Sequence, residues 1–248
     1  MIKSIKGIVL SQLEYREYDM ILSVLTEEDG VIKVVARGLK KINSKNASGC
    51  LPFSLSNFQI QYHENKTIHT LQTSELINSY RYLREDLKKQ ALATFCCECI
   101  EKSGEDFYGY DYLIQVFELL KDEECQLLFC MFLVIMMKTH GIEIYVDGCI
   151  NCHNKKHICA ISVSKGGFIC ENCYTVRTDY KLPKQGLQAL RYLCKADFTH
   201  YHILKEKITC TFEMMDIIYN FFEEYTGISV RSYTFLKTIL HMFENETH

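Results

Sequence analysis

Two short cysteine motifs carry the clearest chemistry in the chain: Cys149-Ile150-Asn151-Cys152 and Cys170-Glu171-Asn172-Cys173. Seventeen residues separate them, a spacing found in four-cysteine metal sites. Each Cys-x2-Cys turn presents two thiolates to one ion. Two such turns close a tetrahedron with bonds of about 2.3 Å, the arrangement zinc prefers. Four thiolates leave no position open for water or substrate, so the implied Zn2+ is structural rather than catalytic. The intervening residues fit a ribbon, with 158–163 as a strand, Lys165-Gly166-Gly167 as a turn, and Phe168-Ile169 leading back. Zinc would fix a hairpin with little core of its own; in small modules such an ion contributes roughly 10–16 kcal/mol of apparent binding energy. The competing readings are four unrelated buried cysteines or a redox pair. A redox pair would sit at a helix N-terminus and would need no second motif. His153, His157 and Cys159 lack the motif's register and read as loop or hairpin residues.

The chain has thirteen cysteines and nine histidines. An odd cysteine count in a reducing compartment argues against a disulfide framework. Cys96, Cys97 and Cys99 fall in a helical run at 90–101 and read as core filling. The histidines form no recognisable partner set, and the alternation His200-Tyr201-His202 reads as an exposed edge. Phosphate-binding glycine loops, zinc-protease, nucleophile-elbow and deaminase signatures are all missing. The sequence therefore makes no positive case for an enzyme.

A second feature lies near the N-terminus. Residues 31–63 contain no acidic side chain but hold Lys33, Arg37, Lys40, Lys41 and Lys45. On a small barrel, such a stretch can track the backbone of a nucleic acid. Ser44 and Asn46 could add phosphate hydrogen bonds. Phe58 and Tyr62 are possible stacking groups, although their alternation favours the core. If all five cations met duplex phosphates, the log–log salt slope of binding would be roughly −4 to −5. The alternative is a solvated basic loop without a ligand. With a formal net charge of −3, any attraction to nucleic acid must be local.

These features need elements to hold them. The length of 248 residues suits one or two domains. Strand patterns occur at 5–13, 20–26, 31–37, 58–62 and 67–73, with Asp29-Gly30 as a hairpin turn and 38–49 as a long loop. Five short strands suit an OB-fold barrel. Beyond residue 80 the period becomes helical, with Leu83, Leu87, Ala91 and Phe95 stepping by four. A break at 104–109 precedes helices near 112–120 and 124–139, the latter stopped by Gly141. Further helices are expected near 184–193, 209–225 and 232–243. The apolar run 127–137 is too short to cross a bilayer, and no secretory signal is visible. The expected fold is α+β: an N-terminal five-stranded OB-fold barrel in 1–79, then an α-helical domain in 80–248 with the zinc ribbon at 149–173. The expected location is the cytoplasm, with no membrane partner.

The order of these segments resembles the bacterial DNA repair and recombination protein RecO family. The likeness runs through IKGIVLSQLEYREYDMILSVLTEEDGVIKVVARGLKK, Leu51-Pro52-Phe53, ELINSYRYLR at 75–84, GIEIYVDGCINC at 141–152, and Ser232-Tyr-Thr-Phe-Leu-Lys. It covers essentially the whole chain. The resemblance implies a non-enzymatic recombination mediator that binds single- and double-stranded DNA and anneals complementary strands. It further implies work with RecR and the C-terminal tail of SSB in RecA loading, and association with the nucleoid on DNA. The implied DNA contacts are Lys33, Arg37, Lys40, Lys41 and Lys45. The implied SSB-tail pocket lies on the helical domain. The alternatives from the residues alone are a zinc-stabilised protein-interaction module and an RNA-binding OB protein, since nothing in the residues separates DNA from RNA.

Overall fold

A computed structural model describes residues 1–62, 66–104, 107 and 109–245. The chain forms two compact units, 1–121 with 230–248, and 122–229.

The first unit is built on strands β1 (Ile2–Glu14), β2 (Met20–Thr26), β3 (Val31–Ala36), β4 (Leu55–Gln61) and β5 (Ile68–Asn78). Their order, β1-β2-β3-β5-β4, closes into a barrel because β4 pairs back onto β1. All pairings are antiparallel except β3 with β5. This is the OB-type barrel anticipated from the five short strands. Its interior is filled by residues that alternate along the strands: Met20, Leu22 and Val24 on β2, Val34 and Ala36 on β3, Phe58 and Ile60 on β4. That period of two puts every second side chain inside. Gly7 lets β1 and β2 approach closely, since a Cβ there would come within 2.6 Å of Val24. The Asp29-Gly30 turn forms as expected: Gly30 has φ 66°, and Thr26 N–H donates to its carbonyl at 2.8 Å.

Helices α1 (Tyr82–Glu85), α2 (Leu87–Lys102) and α3 (Tyr110–Leu120) follow, and α8 (Ser232–Asn245) returns to the same unit. The helical spacing from Leu83 to Phe95 is divided between α1 and α2 at Asp86, which adopts an extended backbone and whose carboxylate accepts from the N–H groups of Lys88 and Lys89, capping α2. An N-cap aspartate satisfies donors that the helix itself cannot. Leu83 ends in α1, and Leu87 is exposed while Ala91 and Phe95 are buried. Cys96, Cys97 and Cys99 are buried in α2, as core filling requires. The outer face of the β1–β2 hairpin is tied to α2 by Glu101, which accepts from Ser11 at 2.9 Å and Ser23 at 2.5 Å. The break expected at 104–109 lies partly outside the described residues.

The second unit holds α4 (Cys125–Thr139), α5 (Lys184–Lys195), α6 (Tyr201–Lys207) and α7 (Phe212–Thr226). It also holds a three-stranded sheet ordered β7 (Gly167–Cys170), β6 (Ile158–Ser162), β8 (Tyr180–Lys181). The apolar run 127–137 is buried all round α4, which packs on α7. No helix among the described residues is long and apolar enough to cross a membrane. His200 and His202 lie in a helical turn and in α6, not on an extended edge. Asp197 caps that turn by accepting from Thr199 N–H at 2.9 Å.

One carboxylate joins α2 to α8. Glu98 accepts from Arg231 N–H at 3.0 Å, Ser232 N–H at 2.9 Å and Ser232 Oγ–H at 2.6 Å, with Lys102 at 3.0 Å. The N–H groups at the start of α8 would otherwise lack partners. Burial opposes the charge, but the Ser232, Lys102 and Arg231 donors outweigh it and hold Glu98 at about 2. The unfolded chain takes up this proton near the ordinary glutamate value and the folded protein only near 2, so the unfolded state binds more protons between them. The contribution is complete above the ordinary value and fades as pH falls toward 2. Glu98→Gln should flatten the stability profile over that acidic window. It should also lower stability at neutral pH by about 1–2 kcal/mol, the scale of a charged acceptor losing its partners, as read by urea unfolding.

Candidate nucleic-acid interface and metal centre

The four predicted metal ligands converge. Cys149 and Cys152 occupy a tight loop in which His153 N–H donates to the Cys149 carbonyl and Cys149 N–H to the Asn154 carbonyl, both at 2.8 Å. His153 takes φ 58°, a left-handed position that glycine more often fills but that histidine tolerates. Cys170 ends β7, and Cys173 closes the 3-10 turn that follows. All four sulfurs lie within 4.8 Å of one another, and Cys152 Sγ is 3.6 Å from Cys170 Sγ. A tetrahedron with bonds of 2.3 Å has edges of about 3.8 Å, so the cluster already has nearly the size of a metal-centred one. Ala160 and Ile169 back it, with Ile158 and Tyr174 alongside. This core is too small to hold a hairpin unaided.

The electrostatics fit a cation. Burial works against the Cys149 thiolate, yet the N–H groups of Cys170, Cys152 and Asn151 point at its sulfur and bring it down to about 6. Cys173 moves the other way, to about 12, through the Cys152 sulfur first and burial second. Four sulfurs this close cannot all hold charge by themselves. A bound dication reverses that balance, because a coordinating thiol is deprotonated outright. The cluster can therefore hold a metal ion.

The barrel unit carries the predicted cations. Lys33 points outward from β3, and Arg37, Lys40, Lys41 and Lys45 follow on the loop to β4; all five are exposed. Lys40 is not free. Its ammonium lies 2.8 Å from the Glu14 carboxylate, which that hydrogen bond holds below the usual carboxylate range. The acid-free stretch thus receives an acid from β1. Asn46 is also committed: its Oδ1 accepts from Ser74 N–H at 2.9 Å, and its Nδ2 donates to the Gln72 carbonyl at 3.3 Å. It anchors the loop to β5 instead of awaiting a phosphate. Phe58 is 1% exposed and belongs to the core. Tyr62 stacks on His69 with ring centres 4.3 Å apart. His63, the end of the acid-free stretch, lies outside the described residues.

A neighbouring loop, residues 15–19, joins this surface, although the sequence reads only as polar there. Asp19 accepts from Gly38 N–H at 2.8 Å, and Lys40 N–H donates to the Tyr18 carbonyl at 3.1 Å. Lys41 Nζ lies 5.7 Å from the Tyr18 ring centre, and the Arg16 guanidinium 5.1 Å from that of Tyr15. The available signal was the interleaving of aromatic and basic residues in Glu14-Tyr15-Arg16-Glu17-Tyr18-Asp19. Its carboxylates masked that signal.

Comparison with known proteins gives a consistent result. A family model described as "Recombination protein O N terminal" matches residues 1–80. One described as "Recombination protein O C terminal" matches residues 84–234. A Bacillus pumilus protein named DNA repair protein RecO is 31% identical over 249 aligned residues, covering 98% of this chain and 96% of its own. A Bacillus subtilis protein of the same name is 30% identical over 243, covering 95% and 94%.

The Asn46 anchor is directly testable. Asn46→Ala removes three side-chain hydrogen bonds to Gln72 and Ser74 of β5 and should cost about 1–2 kcal/mol in urea unfolding. It should also speed amide exchange at Ser74 and through 38–47 by more than at Ile60, where exchange should rise only by the global loss of stability.

Proposed function

From the fact that this chain belongs to the recombination protein O family of DNA repair and recombination proteins, we propose that it is a non-catalytic recombination mediator. The barrel, residues 1–79, binds single- and double-stranded DNA and anneals complementary strands. Residues 80–248 carry the zinc ribbon and the protein contacts, with RecR and the C-terminal tail of SSB as partners in loading RecA. It works in the cytoplasm, at the nucleoid when on DNA.

The observation that carries this reading is the set of exposed barrel cations. Lys33, Arg37, Lys41 and Lys45 form no ion pair among the described residues. Unpaired cations on β3 and the loop that follows it displace counterions from phosphates, and that release drives binding. Two strands whose phosphates are neutralised by one surface repel each other less, which favours annealing. With Lys40 held by Glu14, four cations remain, and the duplex salt slope becomes roughly −3 to −4. The SSB-tail contact is supported by a cleft of about 590 Å³ whose lining includes Leu182, Ala189, Tyr192, Lys207 and Met214. Leu182, Ala189, Tyr192 and Met214 give it apolar surface and Lys207 a cation for an acidic–aromatic peptide, with Glu213 the one carboxylate among the described lining residues.

Lys40, Lys41 and Lys45 all changed to Glu should abolish strand annealing in a fluorescence assay with complementary oligonucleotides; unchanged annealing removes the loop from the mechanism. Separately, the chain purified without chelator should contain about one zinc by elemental analysis. Cys170→Ser should lose it and expose the 149–173 hairpin to protease. Metal-free wild-type protein would exclude the zinc site.

A further inference from the structure

Phosphate contacts do not by themselves separate one strand from two, because both present phosphates. Something else on this surface must read the difference. The loop at 15–19 carries two aromatic side chains in the open: Tyr15 is 49% exposed and Tyr18 46%. With about half of each residue in solvent, neither tyrosine belongs to the barrel core. The loop holding them is nevertheless well fixed. Tyr15 N–H and Arg16 N–H both donate to the Asp19 carbonyl, at 3.1 and 3.4 Å, and Asp19 N–H returns to the Arg16 carbonyl at 3.3 Å. The Asp19 carboxylate and the Tyr18 carbonyl then tie it to Gly38 and Lys40 of the basic loop. Two exposed rings are thus held on a short, braced turn beside a cationic loop.

Charge across the two loops favours an anion. Residues 14–19 and 31–45 hold six cations and three carboxylates. Two of those carboxylates are occupied, Glu14 by Lys40 and Asp19 by the Gly38 N–H. Glu17 alone faces solvent without a partner among the described residues. Each tyrosine also has a cation over one face of its ring, Arg16 at 5.1 Å from the Tyr15 centre and Lys41 at 5.7 Å from that of Tyr18. A base would take the opposite face, or displace the flexible cation toward its own phosphate. Stacking on aromatic side chains together with cationic contacts to the backbone is the general mode of single-strand recognition.

We propose that Tyr15 and Tyr18 form a base-stacking platform that selects unpaired nucleic acid, with Arg16 and Lys41 contacting the adjoining phosphates. The proposal rests on the DNA-interface reading above and supplies its strand preference. In a duplex the faces of the bases are covered by their neighbours, so the rings have nothing to stack on. The platform therefore adds affinity only for unpaired, base-bearing strands, and that increment is insensitive to salt. The lysines and arginines act on every strand and lose strength as salt rises.

The experiment measures fluorescence anisotropy of the full chain with three probes of equal length: oligo-dT, an abasic single strand and a duplex. Tyr15→Ala and Tyr18→Ala should each weaken oligo-dT binding by about 5- to 150-fold, the range for losing one stacked base. Abasic and duplex binding should stay within about twofold, and the salt slope on oligo-dT should not change. Tyr15→Phe and Tyr18→Phe should bind as the unaltered chain does, because the ring is what matters. Alanine variants that bind oligo-dT normally, or that lose equally on all three probes, would overturn the platform and leave the basic-loop reading standing. Absence of binding by the unaltered chain to any probe would overturn both.

Discussion

The parallel pairing of β3 with β5 is the constraint on which the barrel unit depends. Lys33, Val34 and Val35 run alongside Ile68, His69 and Thr70 in the same direction. Parallel neighbours cannot be joined by a tight hairpin. Between them in the chain stands β4, which pairs with β1 and β5 and not with β3. After Ala36 the chain must therefore cross the end of the barrel before β4 begins at Leu55. The crossing occupies residues 37–54, longer than most connections in compact domains. Arg37, Lys40, Lys41 and Lys45 sit on it. A segment that topology already forces onto the surface is free to carry charge without cost to the core. Asn46, Asp19 and Glu14 keep it in place.

The second unit solves a different problem with a different currency. A hairpin of five and four residues, β6 and β7, cannot bury enough apolar surface to stand by itself. Four sulfurs converge beside it, and the cluster they form can hold a metal ion. The same residue type serves the opposite purpose elsewhere. In α2 and α4, Cys97, Cys99 and Cys130 are fully buried, and burial pushes their thiols well up. Those cysteines stay protonated and act as small hydrophobes, whereas N–H groups aimed at Cys149 pull its thiol down. Spacing separates the two uses in the sequence, and local donors separate them in space.

What could be read from the sequence follows from the range of each interaction. Alternation marks a half-buried strand within five or six residues, so all five barrel strands were legible, as was the doubled Cys-x2-Cys. Features decided by distant partners were not. The two-residue strand β8 exists only through its pairing with Ala160 and Ile161. The split at Asp86 was local, but four-residue apolar stepping hid a capping carboxylate. Glu14 and Lys40 meet across the barrel end although 26 positions apart, so counting acids along a window could not find the pair. Asn46 looked available for phosphate because its partners, at 72 and 74, lie on another strand. For the same reason, the place of Tyr15 and Tyr18 depends on the contacts of their turn with Gly38 and Lys40, which no local pattern in 14–19 encodes.

A chain of net charge −3 can still hold a polyanion, and the reason lies in screening. At physiological ionic strength exposed charges separated by more than about 8 Å interact weakly. The carboxylates that make the total negative therefore count only where they approach the basic loop: Glu14, paired with Lys40, and Asp19 and Glu17, three against the six cations of residues 14–19 and 31–45. The total charge governs how fast a distant strand is drawn in; the local set governs how firmly it is held. Ring stacking belongs to the second quantity and does not depend on screening at all. A surface with few cations and two braced tyrosines would thus associate slowly, yet retain an unpaired strand as salt rises and release a duplex. The interface would sort strands by the faces of their bases more than by their charge.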